Sequence, residues 1–509
     1  MKILLPFDFS IEDIDAITSP KNVYELRKNA EKMISLVREE LKKLIEKGEV
    51  MYGINTGFGE LASKNISKQD LKKLQINLIR SHACGVGYPL SDDEARLMML
   101  IRANELSRGF SGVRPVVINS LCEFLNKGII PYIPQKGSVG ASGDLAPSSH
   151  MALALCGEGL AKFYGDDRWQ PSSVILKKAG IKPLVLEEKE GLALINGTQT
   201  TNAIGSKALL KALNVFYTSI IAGALSTDAL KATPKAFDRR IAYAKPYSGQ
   251  IYVAKKLSKL LEKSQIRQSH ILNDSRIQDP YSIRCMPQVM GAVMEWLYNS
   301  IKALEIEYRS VTDNPLVFYD NGRIEVLSGG NFHAQSLALA FDSAAIAVSV
   351  NTAMSERRIA QLVSDFKILP PFLAKNPGLE SGFMIAQVTA AALCNENNIL
   401  SHPASVFSIP TSANKEDFVS MGTNSAIKLK KIVSNSARVV AIELIASSKA
   451  IMYHRPLKTS PILEKVIEKV INIVGDLEGD VELSSKIESV AVSVSDGDFL
   501  IDVSDILKE

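Results

Sequence analysis

Residues Gly137 to Pro147 read GSVGASGDLAP, and the tripeptide Ala141-Ser142-Gly143 at the centre has the make-up of a backbone that can cyclise on itself. If the Gly143 amide nitrogen attacks the Ala141 carbonyl carbon and two waters leave, one of them taking the Ser142 hydroxyl, the product is a methylidene-imidazolone (MIO) ring. Its exposed methylene is an electrophile that no encoded side chain provides. Ala141 and Gly143 are small enough to let the chain fold back, Gly143 tolerates strained dihedrals, and Ser142 carries the hydroxyl whose loss makes the alkene. By itself a short run of Gly, Ser and Ala is an ordinary connector. A phosphate cradle is excluded, because Asp144 stands where that motif needs Lys and then Ser or Thr.

Other residues along the chain could serve an electrophile of this kind. Tyr52 lies in MYGINTGFG (51–59), where Gly53, Gly57 and Gly59 would let a lid close and exclude water, or would simply make a turn around a buried tyrosine anchor. Asn196 ends GLALINGT (191–198) and is either a hydrogen-bond donor to developing negative charge or an Asn-Gly turn. Arg284 closes QDPYSIR (278–284); its planar fork suits a carboxylate, although a lone Arg is more often a surface ion pair. Phe332, in GGNFH (329–333), His82, in RSHACG (80–85), and Glu416, in TSANKEDFVSM (411–421), complete the set. Their plainer readings are a core phenylalanine, a satisfied structural histidine and a helix-entry carboxylate.

Taken together and in this order, the eleven residues around the tripeptide and the seven from Gln278 to Arg284 resemble the aromatic amino acid ammonia-lyases. Within them the chain most resembles the histidine enzymes. The resemblance runs from about Tyr52 to Met421 and implies specific roles. Ala141, Ser142 and Gly143 form MIO, no external cofactor is needed, and a small amino acid is the substrate. Tyr52 is the base that takes the β-proton, Asn196 a donor to the ring, Arg284 the clamp on the substrate carboxylate, and Gln278 and Tyr281 support the site. Phe332 packs beside the ring, while His82 and Glu416 read the substrate side chain. A tyrosine base with a pKa of about 10 needs positive potential near it, which Arg284 supplies. A carboxylate facing an imidazole N–H is a charge-assisted pair that a phenyl ring cannot satisfy, so His82 and Glu416 favour L-histidine and trans-urocanate.

One departure matters. Histidine lyases commonly carry Gln-Glu-Asp-His where this chain has Lys415-Glu-Asp-Phe418, which removes a polar neighbour of the ring. A tyrosine or phenylalanine ammonia-lyase, an aromatic aminomutase that returns ammonia to the β-carbon, and a non-catalytic relative are the alternatives.

The composition narrows the classes. With 509 residues and 46% hydrophobic content, the chain can bury a large core. The 59 basic and 55 acidic residues nearly balance, with no basic tail or stripe for nucleic acid. Six histidines and five cysteines are scattered without metal-ligand spacing, so no metal is expected, and thiols this far apart suit a reduced, cytoplasmic protein. The apolar segment 212–227 is short for a membrane span, and MKILLPFDFSIEDID lacks the features of a secretory signal.

Positioning such a site falls to long helices. A stripe of Leu26, Ala30, Met33, Val37, Leu41 and Leu44, with Pro20 before it and Gly48 after, predicts one helix. Segments 205–231, 288–310, 334–362, 425–452 and 462–474 predict others. Residues 316–319 and 323–327 face each other across Asn321-Gly322 as a hairpin. The region 165–190 is linker-like but a poor boundary. The expected fold is mainly α, and the resemblance implies a long-helix bundle of the aspartase/fumarase-like superfamily. We expect an N-terminal MIO-bearing region over 1–200 and a helix bundle with C-terminal helices over 201–509, acting as one catalytic unit. By the same resemblance it is a homotetramer with shared active sites, consistent with long apolar helices that one chain does not fully bury.

Overall fold

The computed structural model describes residues 1–51, 53–56, 66, 70–272 and 276–508. Helices dominate it, and among the described residues the strands are short and pair in sheets of two or three. The fold is a mainly α helix bundle. Two compact units make up the chain: Met1–Lys207 with Ile301–Phe341 and Pro403–Ile427, and Ala208–Ser300 with Asp342–His402 and Lys428–Glu509.

The first helix of any length in the first unit is Lys28–Lys47, closed by Gly48 in the left-handed region at φ 83°. Its buried face is Ile34, Val37, Leu41 and Ile45. The expected stripe is therefore shifted by one residue at its start, and Met33 remains 48% exposed. Val37, Leu41 and Ile45 form a cluster with Met51, Ile54, Leu71 and Val317. Val317 comes from the expected hairpin, whose strands are Leu316–Asp320 and Arg323–Leu327, with Asp320 opposite Arg323 across the Asn321-Gly322 turn. The hairpin and the helix thus grip Met51 and Ile54 between them. The linker-like stretch is ordered, with a helix at Ser172–Ala179 that ends at Gly180.

The other expected helices are present as Gln199–Ala229, Met286–Tyr308, Gln335–Ser364, Gly422–Met452 and Pro461–Val474. The helix Gln199–Ala229 begins six residues before its expected start. Gly205 does not break it, because the missing side chain makes room for the Phe341 ring: a Cβ there would fall 1.9 Å from that ring. Two of these helices, Gln199–Ala229 and Gln335–Ser364, are long and apolar enough to cross a membrane, but 78% and 61% of their most apolar stretches are buried inside the protein. They are core helices of the bundle.

Within the second unit a polar seam joins the helices. Arg358 forms a two-pronged ion pair with Glu443 at 2.5 and 2.8 Å, and Ser226 donates to the same carboxylate at 2.7 Å. Arg358 and Glu443 are fully buried. Asn351 donates to Ser219 at 2.9 Å, and Ser436 accepts from Thr352 at 2.6 Å and Asn397 at 3.1 Å. Buried charge and hydroxyls on successive turns fix which helix faces which, at a desolvation cost that the pairing offsets only in part, since Arg358 Nη1 is buried without a partner.

Candidate active site

The loop before the helix Leu145–Leu155 is held from beneath by Asp144. This fully buried carboxylate accepts from the Ser138 hydroxyl at 2.8 Å, the Thr201 amide at 2.7 Å and hydroxyl at 2.8 Å, and the Thr423 hydroxyl at 2.9 Å. Burial pushes its pKa up, while these donors pull it down. The donors come from positions 138, 201 and 423, so Asp144 ties two distant segments to the loop and braces the loop on itself. Gly143 has φ 76°, and a Cβ there would lie 2.3 Å from the Gly197 carbonyl oxygen. Only glycine permits that approach, which is locked by a bond from the Asp144 amide to the same oxygen at 2.8 Å.

Facing the loop, Asn196 occupies the three-residue break between the helices Glu190–Ile195 and Gln199–Ala229. Its side-chain amide donates to the Ser142 carbonyl at 2.7 Å, and its own Oδ1 is buried with no partner. The break is braced by Arg102, which donates to the carbonyls of Ala193 at 2.7 Å and Asn196 at 2.8 Å and pairs with Glu105 at 2.7 Å. Thr198 donates to Glu307 at 2.5 Å, and burial pushes the Glu307 carboxyl up to about 7.

On the open side of the loop is a cavity of about 1080 Å³. Ala141, Ser142, Asn196, His82, Phe332 and Glu416 all line it, against an apolar wall that includes Leu74, Leu78, Leu145, Leu192 and Ile195. The Ser142 hydroxyl donates to Glu416 Oε1, while Glu416 Oε2 accepts from Thr411 at 2.6 Å and Ser412 at 3.0 Å. His82 Nδ1 lies 2.8 Å from the Leu78 carbonyl. A carbonyl can only accept, so Nδ1 carries the proton and Nε2 is an acceptor. Burial pushes the His82 pKa down, outweighing the upward pull of the Leu78 carbonyl and the Glu416 carboxylate. Its segment is anchored by the Gly85 amide, which donates to His150 Nε2 at 3.2 Å on the helix that follows the tripeptide.

The fold therefore gathers six of the expected site residues around one cavity, with Gly143 in the backbone behind it. Tyr52 lies outside the described residues. Gln278, Tyr281 and Arg284 belong to the second unit and are not among the residues lining this cavity. Tyr281 is 68% exposed with the Arg284 guanidinium 4.3 Å from its ring centre, and Arg284 Nε is buried without a partner. Phe418 lines the cavity and stacks on His333 at 6.1 Å. Sequence reasoning misses Arg102 and Glu307, whose contacts to the 193–198 segment span 91 to 109 residues, and Glu105, which pairs with Arg102 and reaches Thr312, 207 residues on; no local pattern marks them. Among the described residues no group of three or more His, Cys, Asp and Glu is placed to hold a metal ion.

These residues fit an MIO ring. The Ser142 carbonyl, which would become the ring's oxygen, already has a buried donor aimed at it, and Gly143 takes the left-handed backbone that brings it onto Gly197. Comparison with known proteins bears on the family. Residues 9–472 match the family model described as "Aromatic amino acid lyase". The chain is 47% identical over 469 residues to a histidine ammonia-lyase of Koribacter versatilis, covering 90% of each. Among solved structures, histidine ammonia-lyase from Trypanosoma cruzi superposes with a TM-score of 0.91 at 39% identity, over 100% of this chain and 96% of that one. Tyrosine aminomutase from Streptomyces globisporus gives 0.92 at 33% identity, over 99% of both.

Proposed function

The chain belongs to the aromatic amino acid lyase family, and from that premise we propose that it eliminates ammonia from L-histidine to give trans-urocanate, using MIO formed from Ala141, Ser142 and Gly143. It is a carbon-nitrogen lyase. The observation that carries the substrate is the convergence of Glu416 and the neutral His82 on the cavity into which Ser142 opens. One offers a carboxylate to an imidazole N–H and the other an acceptor nitrogen, and neither is satisfied by a phenyl ring.

The ring supplies an electrophilic methylene that bonds the substrate amine and makes it a leaving group. Asn196 holds a donor 2.7 Å from the Ser142 carbonyl oxygen, where electron density gathers as that bond forms. Phe332 and the leucines of the wall exclude water from the reacting atoms. Tyr52 takes the β-proton, Arg284 grips the carboxylate with its fork, and Tyr281 and Gln278 support it. By the family resemblance, we take the enzyme to be a homotetramer with shared active sites. Exposed apolar residues such as Ile277, Ile385, Val388 and Ile399 are what such an assembly would cover. Its five cysteines are free thiols, as a reducing cytoplasm requires, and we place the enzyme there.

Phe418 favours a second reading, a tyrosine or phenylalanine lyase or aminomutase, since it puts an aromatic face in the cavity. Incubation with histidine, tyrosine and phenylalanine separates the two. Urocanate absorbance appearing with histidine supports the first; coumarate, cinnamate or a β-amino acid without urocanate overturns it.

A further inference from the structure

Glu416 touches the atom that must leave if the tripeptide is to mature. Its Oε1 is bonded to the Ser142 hydroxyl, and its Oε2 is already occupied by two hydroxyl donors, Thr411 at 2.6 Å and Ser412 at 3.0 Å. Those donors decide where a proton on this carboxyl sits. Two O–H groups point at Oε2 and one, from Ser142, at Oε1; a proton on Oε1 needs only the single Ser142 hydroxyl to turn, after which Ser142 Oγ accepts from the acid. The contact is direct, and the cavity opens on the same residues.

We propose that Glu416 is the proton donor that releases the Ser142 hydroxyl as water during formation of the electrophile, a task separate from substrate binding; this rests on the MIO reading above. In the step, water admitted through the cavity takes the proton from Ser142 Cα. That bond's electron pair becomes the Cα–Cβ double bond. The Cβ–O bond breaks, and the departing hydroxyl takes the Glu416 proton and leaves as water. Hydronium and a Glu416 carboxylate are left, and the balance is the loss of one water from residue 142. The step also delivers Glu416 in the ionised form that a substrate imidazole calls for. Closure of the ring by Gly143 on Ala141 loses the other water and does not require Glu416.

The test is a time course of mass on freshly synthesised protein, with fragmentation to place each loss. Wild type is expected to lose two waters within 141–143. Glu416→Gln keeps shape and hydrogen bonds but has no acidic proton, and is expected to retain the Ser142 hydroxyl or to lose it about 10²–10⁴-fold more slowly. Thr411→Val with Ser412→Ala leaves Glu416 in place but frees Oε2 to hold the proton, and is expected to slow the same loss; it serves if the first variant folds poorly. Loss of the Ser142 hydroxyl at the wild-type rate in either folded variant overturns the proposal. A wild-type chain that keeps its full mass instead overturns the MIO reading itself, so the two failures are distinct.

Discussion

Alanine at position 143 would place a Cβ 2.3 Å from the Gly197 carbonyl oxygen and 2.6 Å from its carbonyl carbon and amide nitrogen. Those atoms are backbone, and their neighbours hold them: Asp144 bonds the Gly197 oxygen at 2.8 Å, Arg102 the Asn196 oxygen at 2.8 Å, and Thr198 is tied to Thr312 at 3.3 Å. Relief by moving the 196–198 segment would drag Asn196 off the Ser142 carbonyl. The left-handed backbone costs an alanine about 1–2 kcal/mol, and overpacking a fixed site adds about 1–3 kcal/mol. Gly180 provides the control, because its φ is 73° and a Cβ there meets nothing within 4 Å. Gly180→Ala should show the backbone cost alone, and Gly143→Ala about 1–3 kcal/mol more by denaturant unfolding, with maturation and activity lost. Equal stability of the two variants, with both waters still lost from Gly143→Ala, would refute the claim that the Gly143 to Gly197 contact shapes the site.

Other outcomes follow from single contacts. Asn196→Ala should lower kcat about 10²–10³-fold, as loss of a preorganised oxyanion donor does, while costing only about 1 kcal/mol in stability; an unchanged kcat removes Asn196 from the chemistry. Glu443→Gln leaves the buried Arg358 guanidinium without a counter-charge and should destabilise the protein by about 3–5 kcal/mol in equilibrium or kinetic unfolding. Glu307 has a folded pKa of about 7 against 4.5 for the free side chain. The folded chain therefore binds the extra proton between these values, and stability falls as pH rises through that window, by at most about 3 kcal/mol. Glu307→Gln, which still accepts from Thr198, should flatten that decline between pH 5 and pH 8; an unaltered slope would assign it to other groups.

Much of this arrangement is legible in the sequence because it is local. The 3.6-residue periodicity marks the long helices, Asn321-Gly322 marks the hairpin turn, and motif order marks residues that converge on the cavity although they lie as far apart as His82 and Glu416. What periodicity cannot give is pairing across the chain. Nothing near Met33 tells that the buried face runs through Ile34 instead, since both are apolar and only the packing of the rest of the chain decides. The expected helix starts at Gly205, and nothing local tells that the Phe341 ring takes the room of a side chain there while the helix reaches back to Gln199. The brace of Arg102 under Asn196 and the four donors around Asp144 join segments up to 279 residues apart, and such bonds leave no trace in local spacing. Gln278, Tyr281 and Arg284 share a motif with clear chemistry, yet no local pattern says that they are absent from the lining of the cavity that holds Ser142.

The mass of the mature, active chain bears most directly on the central claim. The account predicts a protein lighter than its sequence by two waters, both missing from the peptide containing Ala141, Ser142 and Gly143. Active protein with an intact Ser142 hydroxyl and an open backbone at that tripeptide would contradict it.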